Sequence, residues 1–258
     1  MLLGKRVLVT RPAHQTEQFI NHLRTLGADP VLFPTTRIVP DSDQLIRFRR
    51  ELEQLDPYQW IIFTSQNTVH LFWEEFQKSE CSIDYLKNVK IAAIGPATRQ
   101  ALNECGIAVD VMPEKFIGEE IVSTLGNIEG NLILLPRAES AREELLKALL
   151  QNKAVVHEFP LYKSVTNSPD SQAWKELETG VDFVTFTSAS TVHGFFDLLG
   201  DRAKTYLSQT IIACIGPITA NALEPYGMTA QIVAETYTTK GLVESILSFA
   251  GNHNRKVH

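Results

Sequence analysis

Apolar and polar positions along the chain follow two rhythms. Short runs of apolar and β-branched residues stop abruptly and give way at once to helical spacing, which predicts a buried strand followed by a helix. The sharpest cases are WIIFTSQNTVHLFWEEF at 60–76 and FVTFTSASTVHGFFDLL at 183–199. In both, the apolar run (Ile61, Ile62, Phe63; Phe183, Val184, Phe186) ends on a Thr-Ser pair. The hydroxyls of Thr64, Ser65, Thr187 and Ser188 can cap the free backbone N–H groups of the helix that follows, or leave those groups to a ligand.

The same rhythm opens the chain. KRVLVTR at 5–11 predicts a strand, and helical spacing follows through Phe19, Ile20, Leu23 and Leu26, with Gly27 placed to stop it. A second strand, PVLFP, ends at Pro34, which makes a β-α-β unit. From Asn131 the parts recur in order: strand, arginine at the strand end, helix, strand, proline. Arg11 and Arg137, like Pro34 and Pro160, lie 126 positions apart, whereas the Thr-Ser motifs lie 123 apart. A third pair, KIAAIGPATRQALNECG from Lys90 and TIIACIGPITANALEPYG from Thr210, is offset by 121 at Gly95 and Gly216. Three matched motifs in one order indicate an internal duplication of roughly 130 residues per copy. The class is therefore α/β, with two similar lobes, each a parallel sheet flanked by helices, and a ligand site between lobes is expected. Segments 36–43 and 163–171 carry the turn-formers and prolines of connections. The polar tail from Gly251 is expected to fray.

The paired motifs suggest what kind of ligand. In the GPxT motifs glycine lets the backbone turn, and Pro96 and Pro217 suit a first helical position, leaving the N–H groups of Ala97, Thr98, Ile218 and Thr219 at the helix ends. Together with the Arg11 and Arg137 turns and the Thr-Ser turns, six helix N-termini are expected at the carboxyl edges of two sheets. Such ends favour an anion with several carboxylates or phosphates. Ordinary helix capping explains the same residues, because a duplicated scaffold duplicates its caps. Chemistry done once should sit where the copies differ. Tyr162 stands where the first copy has Thr36, and its hydroxyl is a proton donor at neutral pH; Tyr237, opposite Phe116 by the 121 offset, is a weaker candidate. His70 and His193 match between copies, but neither has a Cys or His at i+4, and they flank apolar helix faces, so no metal is assigned.

Composition narrows the function classes. A chain of 258 residues, 44% hydrophobic and 21% charged, suits two domains, and a net charge of −6 with no basic run argues against a nucleic-acid binder. Cys81, Cys105 and Cys214 match neither a disulfide framework nor a metal spacing and read as reduced thiols. With no signal-length apolar region and no long uncharged apolar run, a soluble, cytoplasmic protein with no membrane partner is expected. Neither GxGxxG after a strand nor GxxxxGK[ST] is present, which weighs against nucleotide chemistry.

The ordered motifs resemble the uroporphyrinogen-III synthase family: VLVTRP at 7–12, IIFTSQNTV at 61–69, IAAIGPAT at 91–98, LYKS at 161–164, FTSASTV at 186–192, IACIGPIT at 212–219 and AETYTTKGLV at 234–243. The resemblance implies a lyase of tetrapyrrole and heme biosynthesis that closes hydroxymethylbilane into uroporphyrinogen III with loss of water, using no metal or cofactor. It implies a monomer of two lobes joined by a two-stranded connection, residues 1–36 with 164–258 and residues 37–163, so that the repeat is exchanged between lobes. The polycarboxylate substrate would be handed over transiently by hydroxymethylbilane synthase. Tyr162 matches the family's favoured proton donor, and Thr238 a threonine of its binding region, although Thr239 follows and competes for that match. Arg11, Thr64, Ser65, Thr98, Arg137, Thr187, Ser188, Thr219 and Thr238 are the expected binding residues. A bilobal binding protein or sensor for an anionic metabolite would share the fold and the helix ends, but would return its ligand unchanged.

Overall fold

The computed structural model describes residues 1–113 and 118–254. It divides into two compact units, Met1–Ile38 with Ser164–His258, and Val39–Lys163. Among the described residues the strands are, in chain order, β1 (Arg6–Val9), β2 (Asp29–Leu32), β3 (Thr36–Pro40), β4 (Trp60–Phe63), β5 (Lys90–Ala93), β6 (Leu132–Ala138), β7 (Val155–Thr166), β8 (Phe183–Phe186), β9 (Ile211–Cys214) and β10 (Ile232–Val233). One sheet has the order β10-β9-β8-β1-β2, the other β3-β7-β6-β4-β5. Strands β1, β2, β8, β9 and β10 pair in parallel, as do β4, β5, β6 and β7.

The duplication is exchanged. The first copy's β1 and β2 join the second copy's β8 and β9, while β6 and β7 of the second copy join β4 and β5 of the first. Equivalent strands thus take equivalent places, β2-β1-β8-β9 matching β7-β6-β4-β5. The packing repeats as well. Phe63 meets Phe72 edge-on at 5.0 Å, and their counterparts Phe186 and Phe195 do so at 5.5 Å. Such a pair contributes about 0.5–1.5 kcal/mol beyond the area it buries.

The central strands read as unbroken apolar runs because both their faces are covered. In the first sheet Leu8, Val184 and Ile212 pack with Val192, Phe195 and Leu207 from helices Ala189–Leu199 and Arg202–Ser208. On the other face Val7, Val9 and Ala213 pack with Phe19, Leu23, Leu242 and Ile246, from helices Glu17–Thr25 and Thr239–Asn254. The helix after β1 and the helix after β8 therefore lie on opposite faces, and winding reverses between these two adjacent strands. The carboxyl ends of a sheet at such a switch point are where α/β folds bind ligands.

Segments 36–43 and 163–171, expected to be connections, do contain the points where the chain passes from one unit to the other, and β3 and the end of β7 run through their first parts. The N–H of Asp41 donates to Leu161 O and that of Asn167 to Thr35 O, both at 2.9 Å. Partner numbers that fall on one strand as they rise on the other mark an antiparallel pair. Pro40 is tolerated because β3 is an edge strand, where one side needs no ladder N–H. The turn-formers cap helices instead: Asp41 accepts from the N–H of Gln44, and Asp170 from that of Ala173. The tail expected to fray is helical as far as Asn254, and residues 255–258 lie outside the described part, as does Phe116. No helix among the described residues is long and apolar enough to cross a membrane.

Candidate functional site

At the carboxyl end of β4 the chain leaves the sheet through Thr64 and Ser65. Ser65 is extended and caps helix Gln66–Lys78, its Oγ accepting from the N–H of Thr68 at 3.2 Å. The same Oγ lies 2.8 Å from Thr68 Oγ1 and 3.0 Å from the hydroxyl of Tyr162. Tyr162 is buried near the end of β7, two strands away across β6. Its placement depends on an irregularity. Arg137 is opposite Pro160 but Ala138 is opposite Tyr162, so Leu161 is an extra residue in the register. A bulge of this kind re-aims the side chains beyond it, and Leu161 and Tyr162 are accordingly buried in succession.

The other Thr-Ser turn is built alike. Ser188 caps helix Ala189–Leu199 with a full capping box, its Oγ accepting from Thr191 N–H at 3.2 Å while Thr191 Oγ1 accepts from Ser188 N–H at 3.3 Å. Among the described residues no phenol meets it: Thr36, the counterpart of Tyr162, is a buried threonine at the start of β3. Thr64 and Thr187 are half-buried beside their caps.

The two arginines differ more than their matched positions suggest. Neither adjoins a helix N-terminus directly, contrary to expectation. Beyond Arg11 a single 3-10 turn, Ala13–Gln15, precedes helix Glu17–Thr25, while β6 runs past Arg137 to Ala138 and helix Glu144–Gln151 starts later. Arg137 is buried, bonds to the carbonyls of Ala141 and Arg142, and has Glu158 Oε1 at 3.1 Å from its Nε. The approach of Glu158 is out of line for a hydrogen bond, so it neutralises the guanidinium by charge. Arg11 reaches Gln15 Oε1 at 3.2 Å, its buried Nε has no acceptor, and burial pulls its pKa from 12.5 down to about 10.

Both GPxT motifs place proline at the first helical position as expected, in helices Pro96–Glu104 and Pro217–Asn221. The glycines serve different ends. Gly95 has φ +93°, which favours glycine, whereas Gly216 is extended and a Cβ there would sit 3.2 Å from the ring of Tyr237. Thr98 and Thr219 are buried, and Thr98 Oγ1 donates back to Ile94 O at 3.0 Å. Thr238 rather than Thr239 is the capping residue of the last helix, accepting from Gly241 N–H at 3.0 Å. The two matched histidines are exposed, His193 lying 2.9 Å from the Tyr226 hydroxyl. Glu158 had not been singled out from the sequence; the 126 offset exposes it, because the first copy has Leu32 at that place.

The geometry thus offers a phenol held by a capped serine, an uncompensated arginine, and a set of hydroxyl-capped strand ends. Comparison with known proteins identifies the family. The family model described as uroporphyrinogen-III synthase HemD matches residues 17–244. The porphyrin biosynthesis protein HemD of Ruminiclostridium josui is 30% identical over 256 residues, covering 98% of this chain, which in turn spans 50% of that longer relative. Uroporphyrinogen-III synthase of Synechococcus elongatus is 31% identical over 257 residues, covering 96% of this chain and 97% of the relative. Crystal structures of uroporphyrinogen III synthase from Thermus thermophilus (a mutant form; TM-score 0.67, 19% identity) and of the synthetase from Helicobacter pylori (0.65, 18%) share the fold, each over 96% of this chain and all of theirs. The chain belongs to the uroporphyrinogen-III synthase family and is, with it, a lyase of tetrapyrrole biosynthesis.

Proposed function

We propose that the chain closes hydroxymethylbilane into uroporphyrinogen III, inverting the last ring and releasing water, with Tyr162 as proton donor to the departing hydroxyl. The family match over residues 17–244 carries the reaction. The role of Tyr162 is supported by its hydroxyl lying 3.0 Å from Ser65 Oγ and by its lack of a counterpart in the other copy. When Ser65 donates to the phenol oxygen, the phenol proton is left for the leaving hydroxyl, and the same bond steadies the phenolate that remains.

Electron density from the pyrrole nitrogen expels the hydroxyl, which takes the proton and departs as water, leaving an azafulvene. The last ring attacks through its substituted carbon to give a spiro intermediate, which fragments and recloses inverted. Closure without inversion proceeds spontaneously, so the protein's chief contribution is to hold the chain folded in one geometry. The substrate's carboxylates are taken by Arg11 and by N–H and hydroxyl groups at the strand ends, among them Thr64, Thr187, Ser188, Thr219 and Thr238. The enzyme works as a cytoplasmic monomer that receives its short-lived substrate from hydroxymethylbilane synthase.

The decisive experiment supplies freshly generated hydroxymethylbilane and separates the product isomers. Uroporphyrinogen III in excess is expected; isomer I at the spontaneous rate, with the protein present, overturns the reading and leaves the binding-protein alternative.

A further inference from the structure

We infer that the two matched arginines have parted in function, so that Arg11 is a side-chain anchor for a substrate carboxylate while Arg137 is a structural residue already neutralised by Glu158. The inference rests on the polycarboxylate substrate proposed above and deepens it to a single residue.

The internal repeat supplies the control. In β7 Glu158 stands opposite Leu135, and in β2 the equivalent position, opposite Val9, is Leu32. Glu158 sets a carboxylate 3.1 Å from Arg137 Nε, and two carbonyls take the Nη2 protons. Arg11 has neither carboxylate nor carbonyl among the described residues, only the neutral amide oxygen of Gln15 at 3.2 Å. Leu32 is 36% exposed, so burial of that position does not exclude a charged side chain there. The Nε of both arginines lacks a hydrogen-bond partner, but only Arg137 has a carboxylate beside it; a largely buried guanidinium with no countercharge is costly, and such a group persists where an anionic ligand completes it.

Its place in the fold agrees. Arg11 follows β1, and Ser188 follows β8, on the two adjacent strands between which the winding reverses. Thr10 Oγ1 donates to Thr185 O at 2.7 Å and Thr185 Oγ1 to Leu8 O at 2.6 Å, so these strand ends are tied together beneath the site. A planar fork of donors on a fixed strand end suits one carboxylate held by two parallel bonds.

The test compares Arg11→Gln, Arg11→Lys and Arg137→Gln in the full chain. Arg11→Gln should raise KM for hydroxymethylbilane roughly 10- to 100-fold, the worth of a hydrogen bond to a charged group. It should also raise the melting temperature of the ligand-free protein, since an uncompensated charge is removed. Arg11→Lys, which keeps the charge but not the fork, should give an intermediate KM, and Arg137→Gln should lower the melting temperature. An unchanged KM in Arg11→Gln, or a melting temperature that falls in Arg11→Gln as it does in Arg137→Gln, overturns the inference. If the wild-type chain does not form the III isomer, the functional reading fails by itself. The anchor is then read from melting with uroporphyrin III, which must stabilise wild type and not Arg11→Gln, or the anchor fails too.

Discussion

The hydroxyl of Tyr162 and Oγ of Ser65, 97 residues apart in sequence, lie 3.0 Å from each other. Their strands are not neighbours, so the bond spans the carboxyl end of β6 and couples a helix cap to the proposed proton donor. On that proposal Ser65 serves both stability and chemistry, and the two roles separate by substitution.

Tyr162→Phe keeps the ring in its pocket and removes only the acid. General-acid assistance is worth about 10² to 10⁴ in rate, and the pyrrole nitrogen expels the hydroxyl in part without it. Turnover should fall within that range and the product should remain isomer III, as read by isomer separation after quenched single turnovers. Unchanged turnover removes Tyr162 as donor.

Ser65→Ala deletes an N-cap, a loss of about 0.5–2 kcal/mol, and also releases the Tyr162 hydroxyl. The melting temperature and kcat should both fall, whereas Ser65→Thr, which retains a hydroxyl, should recover most of each. Ser188→Ala removes one bond of its capping box, from Thr191 N–H to Ser188 Oγ, and keeps the other, which the Ser188 backbone N–H donates to Thr191 Oγ1, so urea titration should show a loss within the same range of about 0.5–2 kcal/mol. A Ser65→Ala enzyme with full kcat would show that the hydrogen bond does not orient the phenol.

How much of this was legible in the sequence depends on the range of the interaction. The Thr-Ser caps, the prolines at the first helical positions and the apolar strands are local, and Ser65, Ser188, Pro96 and Pro217 stand as their neighbours in sequence dictate. The exchange of β1 and β2 with β6 and β7 was not written in the repeat itself, since either pairing satisfies the same alternation of strand and helix; it came through resemblance. The long β7 was missed because Pro160, Asn167 and Pro169 read as breakers, while its edge partner β3 accommodates proline at Pro40. The unlike fates of Arg11 and Arg137 were hidden because a strand-end arginine looks the same whether or not a carboxylate lies on the next strand. Comparison of Glu158 with Leu32 would have revealed it.

Gly194→Ala tests a contact that has no equivalent in the other copy, where Leu71 stands at this position. A Cβ at Gly194 would lie 2.6 Å from Thr35 O, inside contact distance and against backbone. Thr35 Oγ1 also donates to Thr191 O at 2.9 Å on the same helix, so the helix cannot withdraw without losing that bond. Overpacking of this kind costs about 1–3 kcal/mol or more. Chemical denaturation should show a loss in this range, and a stability equal to wild type would mean that the helix and residues 35–36 are free to part.

Glu75 supplies an acid-dependent term in the stability of the second unit. It is buried on helix Gln66–Lys78, with Lys78 Nζ at 2.7 Å and Arg49 Nη2 at 2.6 Å. Burial pushes its pKa up, but the hydrogen bonds and charges of Lys78 and Arg49 outweigh that, and the net shift is downward. A carboxylate whose folded pKa is depressed contributes stability in full above its unfolded value, about 4.3 for glutamate, and loses it as pH falls through the folded value. Glu75→Gln should therefore be less stable than wild type at pH 7, and the gap should close as the pH falls below that ordinary glutamate value. Arg49 and Lys78 remain solvated after the change, so the loss at neutral pH should be smaller than the 3–5 kcal/mol or so typical of a fully buried pair that is broken. Melting curves of the two proteins collected at intervals between neutral pH and pH 3 measure it, and a gap that stays constant across that window would assign no acid sensitivity to Glu75.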